Sequence, residues 1–442
     1  MASNQQESGQ KDAIVEAQLK GEGYEHAFAR VPDEFRKPLF NLTVVLTGYP
    51  VALTNFVVGA AVGVQLSFPL AMLVLLIGNT VLIGVAVLTG VMAYRTGLST
   101  TVLSRRAFGQ KGSYLYSALL VISAITWVAM NGDIFARTFM ANFSWWPLPT
   151  SLTAALAILM WIQSAVRGFK GLQVVSFLGV PSALIMGIIG VIAVFNSPSG
   201  IAGVINYIPE TKMTLSAATA SVVGGWIFGA SITPDVCRYA KSEGDAIFAA
   251  FFAFFLGCFG LQLAGVIVGM STGTGDFVKV MVSLGLTALA LVLAFFCIWC
   301  TQDNNIYSAG LAAQNIIKDT RWGGKIPHGR LCLALGLVSA VLAGFGIYSK
   351  IVPVIQFLSI LMPPMPGVLI AQEYFIKKPK DQLISNKYAL ISWLSGGILA
   401  YISLKTNFFV PPVIGIVSAG LIHYILEKFT AKPAESGPAG AR

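Results

Sequence analysis

The stretch FPLAMLVLLIGNTVLIGVAVLTGVMAY, residues 68–94, runs for 27 residues without an acidic or basic side chain. At 1.5 Å per helical residue it reaches about 40 Å, enough to cross a hydrocarbon core of about 30 Å. Similar runs recur at 40–64, 112–137, 150–167, 172–196, 216–235, 245–271, 281–302, 329–347, 351–375, 386–404 and 409–427. Together they predict twelve transmembrane helices and an all-α integral membrane fold. Composition points the same way: of 442 residues 55% are hydrophobic and only 11% charged, and mean hydropathy is +0.75. A soluble domain carries roughly a quarter of its residues charged, so most of this surface must face lipid.

The charges that remain are unevenly placed. Counting from a cytoplasmic N-terminus, the outward ends and loops hold only Arg137, Lys212, Lys279, Lys350 and Lys405, and the other 24 of 29 Lys and Arg fall on the inner side. Basic residues collect on the cytoplasmic side of membrane proteins. The net charge of +10 is therefore a record of topology, not a sign of a nucleic-acid partner. The expected location is the plasma (inner) membrane, multi-pass, as a monomer with both termini cytoplasmic. Residues 1–38 are polar and lack a signal-peptide core, and they form a cytoplasmic N-terminal segment ahead of a transporter domain at 39–430. Residues 431–442 read as a disordered tail.

Several function classes are disfavoured. The five cysteines, Cys237, Cys258, Cys297, Cys300 and Cys332, lie in or beside predicted helices and suggest no exported disulfide framework. Cys297 and Cys300 form a C-x-x-C pair, but His26, His328 and His423 lie elsewhere, so a zinc site lacks partners. No H-E-x-x-H motif, paired membrane aspartates or serine with a base is present, which argues against a membrane-embedded enzyme. A channel would want a repeated filter loop. No organic cofactor is expected.

Interruptions in the apolar runs are more informative. A lipid-exposed helix satisfies its own backbone, so a break is tolerated only where protein or a water-filled cavity covers the freed groups. The first predicted helix contains Gly48-Tyr49-Pro50 at mid-depth, followed by Thr54-Asn55; the sixth contains Gly224-Gly225-Trp226, then Gly229 and Thr233-Pro234-Asp235. Pro50 removes an amide donor. The two breaks open successive five-helix blocks, about 40–196 and 216–375, followed by two extra helices at 386–427. Inverted-repeat secondary transporters place their sites between such discontinuous helices.

Three segments carry a family resemblance. YRTGLSTTVLSRRAFGQKGS, 94–113, resembles the connection after helix 2 in nucleobase cation symporter family 1. GGWIFGASITPDVCRYAKS, 224–242, and IWCTQDNNIYSAGL, 298–311, resemble helices 6 and 8 of its bacterial cytosine permease branch. The resemblance implies a leucine-transporter-like fold of two five-helix inverted repeats plus two helices. It also implies cation-coupled import of a nucleobase or related heterocycle by alternating access. Its site residues map to Trp127 on helix 3 and Trp226 on helix 6, an aromatic sandwich for a flat ring. Asn131, four residues after Trp127, shares its helix face. An unwound turn at Gly224 and Gly225 is expected to present backbone groups, and Gln302, Asp303, Asn304 and Asn305 to supply amides and a carboxylate from helix 8, with Asn304 and Gln302 preferred. The chain departs from the cytosine permease pattern at Phe228 in place of a serine, at Cys297 in place of an amide and at Ala124 in place of a glutamine. A purine, hydroxymethylpyrimidine or hydantoin-like ligand such as allantoin is thus open beside cytosine. A transporter-like receptor of such a ligand is the remaining alternative.

The resemblance also implies a coupling-ion site. Family sodium ligands map to the carbonyls of Gly48, Val51 and Cys297 and to the side chains of Cys300 and Thr301. Thr301 offers the oxygen that sodium prefers, whereas the sulfur of Cys300 is a soft ligand. Proton coupling is the other reading, with Asp133, Asp235, Asp303 and Glu373 as candidate acids. Arg137 and Arg238 are expected to pair with Asp133 and Asp235, which leaves Asp303 as the better proton carrier.

Overall fold

Pro50 decides the first span. The structure, a computed structural model, describes residues 23, 25–273, 287–346, 357–358, 360–376 and 385–430. In it α1 (Leu39–Gly48) and α2 (Leu53–Gly63) meet at a bend of 59° across Tyr49–Ala52. The carbonyls freed by this break are capped from within. Asn55 Nδ2 donates to the Pro50 carbonyl (2.6 Å) and to that of Gly257 (3.1 Å). Gln262 Nε2 donates to Asn55 Oδ1 (2.8 Å), and Asn79 Nδ2 to Gln262 Oε1 (2.8 Å). All three amides are buried, so the relay replaces the ladder bonds the break removes.

Glycine spacing sets the next contact. Gly59 and Gly63 on α2 face Gly265 and Gly269 on α11 (Leu261–Thr272). A Cβ on Gly63 would lie 2.9 Å from the Val266 carbonyl oxygen, and one on Gly269 would lie 2.8 Å from Ala60 Cα. These are two small-x-x-x-small stripes packed backbone to backbone, as membrane helices without a hydrophobic driving force between them tend to be.

The remaining elements follow in order. α3 (Phe68–Thr96) ends at Gly97, whose φ of 71° lets its N–H close on the Ala93 carbonyl. α4 (Thr100–Asn142) is 43 residues long, about 65 Å, and therefore too long for one span. Gly109, at φ 75° and ψ 171°, kinks it into a short buried arm and a span. α5 (Thr150–Val166), α6 (Phe169–Phe195), the short α7 (Gly200–Ile205), α8 (Leu215–Ile232) and α9 (Pro234–Cys237) come next. α10 (Glu243–Phe254) joins α11 through a π-helical turn at Phe255–Gly260, where a Cβ on Gly257 would meet Pro50 Cγ at 2.7 Å. α12 (Thr287–Ile317), α13 (His328–Gly344), α14 (Pro364–Ile370) with a π turn at Ala371–Ile376, α15 (Lys387–Thr406) and α16 (Pro411–Thr430) complete the described chain.

Seven described helical segments are long and apolar enough to cross a membrane, and the bent α1–α2 pair makes an eighth span; α5 and α13 are shorter apolar helices. The first residues of the predicted spans at 281–302 and 351–375, the tail at 431–442, Lys279 and Lys350 lie outside the described residues. Outward-facing Leu70, Leu73, Leu76 and Ile77 on α3 and Phe248, Phe251 and Phe252 on α10 give the molecule its apolar flanks.

The sixth span does not match expectation. Gly224 and Gly225 lie inside an unbroken α8, and the only interruption comes at Thr233, before Pro234. Glycine costs a helix about 1 kcal/mol but does not remove a hydrogen bond, whereas proline does. No unwound turn at Gly224 and Gly225 presents backbone groups here.

Apart from α14, α15 and α16, which pack on one another, the long helices form two groups. α1, α2, α3, α8, α10 and α11 pack on one another, as do α4, α5, α12 and α13, with α6 wedged between the groups. The N-terminal segment lies across one end of both. The Gly23 carbonyl accepts from His328 N–H (2.8 Å), Val31 N–H donates to the Gly97 carbonyl (3.0 Å), and Lys37 N–H to that of Tyr239 (2.7 Å).

Candidate functional site

Where α1 breaks, its neighbours α4, α8 and α12 leave a small cavity. Trp127 and Asn131 line it from α4, Gly225, Trp226, Phe228 and Gly229 from α8, Thr301 and Asn305 from α12, and Tyr49 and Thr54 from the break and α2. The space is about 20 Å³, room for about one water molecule. A planar heterocycle therefore enters only if side chains move apart.

Of the expected substrate residues, the structure brings Trp127, Asn131, Gly225, Trp226 and Phe228 to this cavity and leaves Gly224, Gln302 and Asn304 off its wall. Asn304 Nδ2 is turned back to the Cys300 carbonyl (2.8 Å) and to Asp303 Oδ1 (3.2 Å). Gln302 Oε1 accepts from Asn305 Nδ2 (3.1 Å), so Gln302 stands one residue behind the wall. Asn131 Nδ2 donates to the Trp127 carbonyl (2.8 Å), which fixes the amide beside the indole.

Three lining residues, Tyr49, Thr54 and Gly229, stand at the breaks in the sequence but are not among the expected site residues, and Asn305 is a helix 8 candidate ranked behind Gln302 and Asn304. Tyr49 sits within the break already singled out, and Asn305 follows Thr301 by one helical turn, so both carried a usable signal. The Tyr49 ring stands edge-on to Trp226, centroids 5.4 Å apart and planes at 77°. Its hydroxyl donates to Asn305 Oδ1 (3.0 Å).

Beside the cavity lies the residue set matched to a sodium site. Cys297 Sγ donates to the Val51 carbonyl (3.1 Å), while Cys300 Sγ (3.2 Å) and Thr301 Oγ1 (3.3 Å) donate to the Cys297 carbonyl. Both carbonyls thus receive thiol hydrogens. Gly48 abuts Ser176 of α6, close enough that a Cβ would lie 2.9 Å from Ser176 Cβ. As a donor set for a hard cation this is poor, since Cys300 offers a soft thiol where an oxygen is wanted.

The acids divide by partner. Asp133 pairs with Arg137 at 2.7 Å, as the four-residue spacing predicts. Glu373 pairs with Arg106 at 2.7 Å. Asp235 departs from expectation: its Oδ1 accepts from Thr100 N–H (2.8 Å) at the start of α4, and Arg238 Nε reaches only its main-chain carbonyl (3.1 Å). The Arg238 guanidinium instead holds the N-terminal segment, donating to the carbonyls of Glu25 (2.8 Å) and His26 (3.0 Å) and to the Tyr307 hydroxyl (2.9 Å). The Tyr239 and Tyr307 hydroxyls both donate to Glu25 Oε2. Asp303, fully buried on α12, accepts from Ser164 Oγ (2.8 Å) and Asn304 Nδ2. Among the described residues no cation lies within ion-pair distance of it.

Comparison with known proteins places this geometry. Residues 30–426 match the family described as permease for cytosine/purines, uracil, thiamine, allantoin. The chain is 28% identical to the cytosine permeases of Escherichia coli strain K12 and of Escherichia coli O157:H7 over 399 residues, 90% of this chain and 92% of theirs. Its fold is similar to that of Mhp1, a nucleobase-cation-symport-1 family transporter, in a closed conformation with bromovinylhydantoin bound. That match has a TM-score of 0.76 at 15% identity and covers 91% of this chain and 94% of the other. A Na+-coupled sialic acid symporter matches at TM-score 0.69 and 13% identity, covering 95% and 96%. The fold is thus leucine-transporter-like and all-α. The chain belongs to the family of permeases for cytosine/purines, uracil, thiamine and allantoin, and it is a multi-pass membrane transporter, not an enzyme.

Proposed function

We propose that this transporter imports a nucleobase or related planar heterocycle, held between Trp127 and Trp226, in symport with protons. The observation that carries the reading is the convergence of these two indoles on one cavity at the break in the first span. Stacking a base on an aromatic side chain is worth about 1–3 kcal/mol per contact, and the cavity offers it from two helices. The ligands of the relatives, cytosine and a hydantoin, are planar heterocycles of this kind. Phe228 and Ala124, both apolar, favour a ligand that asks less hydrogen bonding of helices 3 and 6 than cytosine does, such as a purine or a hydantoin.

The ion assignment rests on two features. The Val51 and Cys297 carbonyls already accept hydrogens from thiols. Asp303 is a buried carboxyl held by a hydroxyl and an amide, so it can take up and release a proton without breaking an ion pair. Transport then proceeds by rocking of the two helix groups about the cavity, with the end that carries the N-terminal segment facing the cytoplasm, where basic residues collect.

Uptake into proteoliposomes tests the reading. With a heterocycle found by a thermal-shift screen of nucleobases, hydantoins and vitamin precursors, uptake should persist when choline replaces sodium and fall to the leak rate when an uncoupler collapses the proton gradient. Sodium-dependent uptake that is insensitive to the uncoupler would assign the thiol and Thr301 cluster to sodium instead.

A further inference from the structure

We propose that Tyr49 and Asn305 read the substrate by exchange: their mutual hydrogen bond holds the place of a ligand edge in which an N–H lies beside a carbonyl, and the ligand enters by replacing that bond. This rests on the heterocycle site proposed above and names which heterocycles it accepts. The Tyr49 hydroxyl donates to Asn305 Oδ1 at 3.0 Å, from the break in the first span to α12, so the bond ties one helix group to the other across the cavity. Both residues are only 3% exposed.

The site is shaped to hold Tyr49 there. Its ring lies edge-on to Trp226, and Gly229 leaves it room, since a Cβ at that position would come within 2.8 Å of Tyr49 Cε1 and 2.9 Å of Trp226 Cε3. Asn305 is fixed from behind by its bond to Gln302 Oε1 (3.1 Å), which keeps its oxygen aimed at Tyr49.

With only about 20 Å³ of space, a ring enters only when lining side chains move, and in the exchange it is Tyr49, edge-on to Trp226, that does. Moving Tyr49 leaves a buried hydroxyl donor and a buried amide acceptor without partners, which is unfavourable once a ligand fills the cavity. A cyclic amide edge answers both at once: its carbonyl accepts from the Tyr49 hydroxyl and its N–H donates to Asn305 Oδ1. A ligand that lacks either group leaves one of the two unpaired and binds about tenfold or more weakly. Uracil, hydantoin and hypoxanthine carry such an edge.

The test is calorimetric titration of the purified full-length protein with uracil, hydantoin and hypoxanthine, and with the fully N-methylated and dithio derivatives of uracil. Wild type should prefer each N–H probe over an N-methylated one, and the carbonyl probe over its thiocarbonyl derivative, by about tenfold or more. Asn305→Ala should collapse the N–H preference to within about twofold, and Tyr49→Phe, which keeps the ring on Trp226, should collapse the carbonyl preference. Melting curves establish that both variants fold. Preferences that survive in both folded variants would overturn the exchange while leaving the Trp127 and Trp226 sandwich standing. Binding that is unaffected by Trp226→Ala, or no binding of any of the three lactam probes to wild type, would overturn the site itself.

Discussion

Asn55 Nδ2 lies 2.6 Å from the carbonyl oxygen of Pro50, five residues earlier in the same span. A carbonyl inside the break is therefore capped by a side chain from the second half-helix, and the same amide reaches Gly257 in the π turn between α10 and α11. The broken span is a fixed structural feature rather than a frayed one, because its freed carbonyl has a donor. Replacing Asn55 by Leu should leave that carbonyl with only the Ala52 N–H (2.8 Å) as donor and Gln262 Nε2 unpaired, and lower stability by about 1–3 kcal/mol. Thermal unfolding in detergent measures this, and a melting temperature equal to that of wild type would show that the relay carries no stability.

Gly229 should tolerate nothing larger. An added Cβ would press on both Tyr49 and Trp226, and overpacking of this kind costs about 1–3 kcal/mol. Gly229→Ala is expected to weaken heterocycle binding by about tenfold with only a modest change in melting temperature. Wild-type affinity in that variant would mean that Tyr49 and Trp226 do not jointly set the shape of the site.

The break at Gly48-Tyr49-Pro50 was legible in the sequence because proline cannot donate the hydrogen bond a helix needs there. The supposed break at Gly224-Gly225 was not real, because glycine permits unwinding without requiring it, and in α8 the ladder closes over both residues. The pairing of Asp133 with Arg137 could be read from spacing alone. By contrast, the bond between Tyr49 and Asn305 joins residues 256 apart, and the one between Asn79 and Gln262 joins residues 183 apart. No local pattern encodes such partners; they follow from how glycine stripes and π turns bring whole helices together. Arg238 shows the same limit: the spacing suggested Asp235, but the N-terminal segment supplies its partners.

Arg238→Ala should release that segment. The guanidinium is fully buried and bonds two main-chain carbonyls of residues 25 and 26 as well as Tyr307, and losing one member of a buried charged network costs about 3–5 kcal/mol. The expected outcome is a lower melting temperature and faster limited proteolysis between residues 23 and 37. Unchanged proteolysis would show that the segment is held by its other contacts.

Asp303→Asn keeps the size of the side chain and its bonds to Ser164 while removing the titratable group. Proton-driven accumulation of substrate should be lost, whereas exchange of labelled for unlabelled substrate across the vesicle should continue. Accumulation at the wild-type level would remove Asp303 from the coupling mechanism.

The most direct test of the whole account is the affinity of Trp226→Ala for the heterocycle that wild type binds, measured by calorimetric titration beside Trp226→Phe. Removing one wall of the sandwich forfeits about 1–3 kcal/mol of stacking, so affinity should fall roughly tenfold to a hundredfold in the alanine variant and recover in large part in the phenylalanine variant. An alanine variant that folds and binds as tightly as wild type would contradict the account.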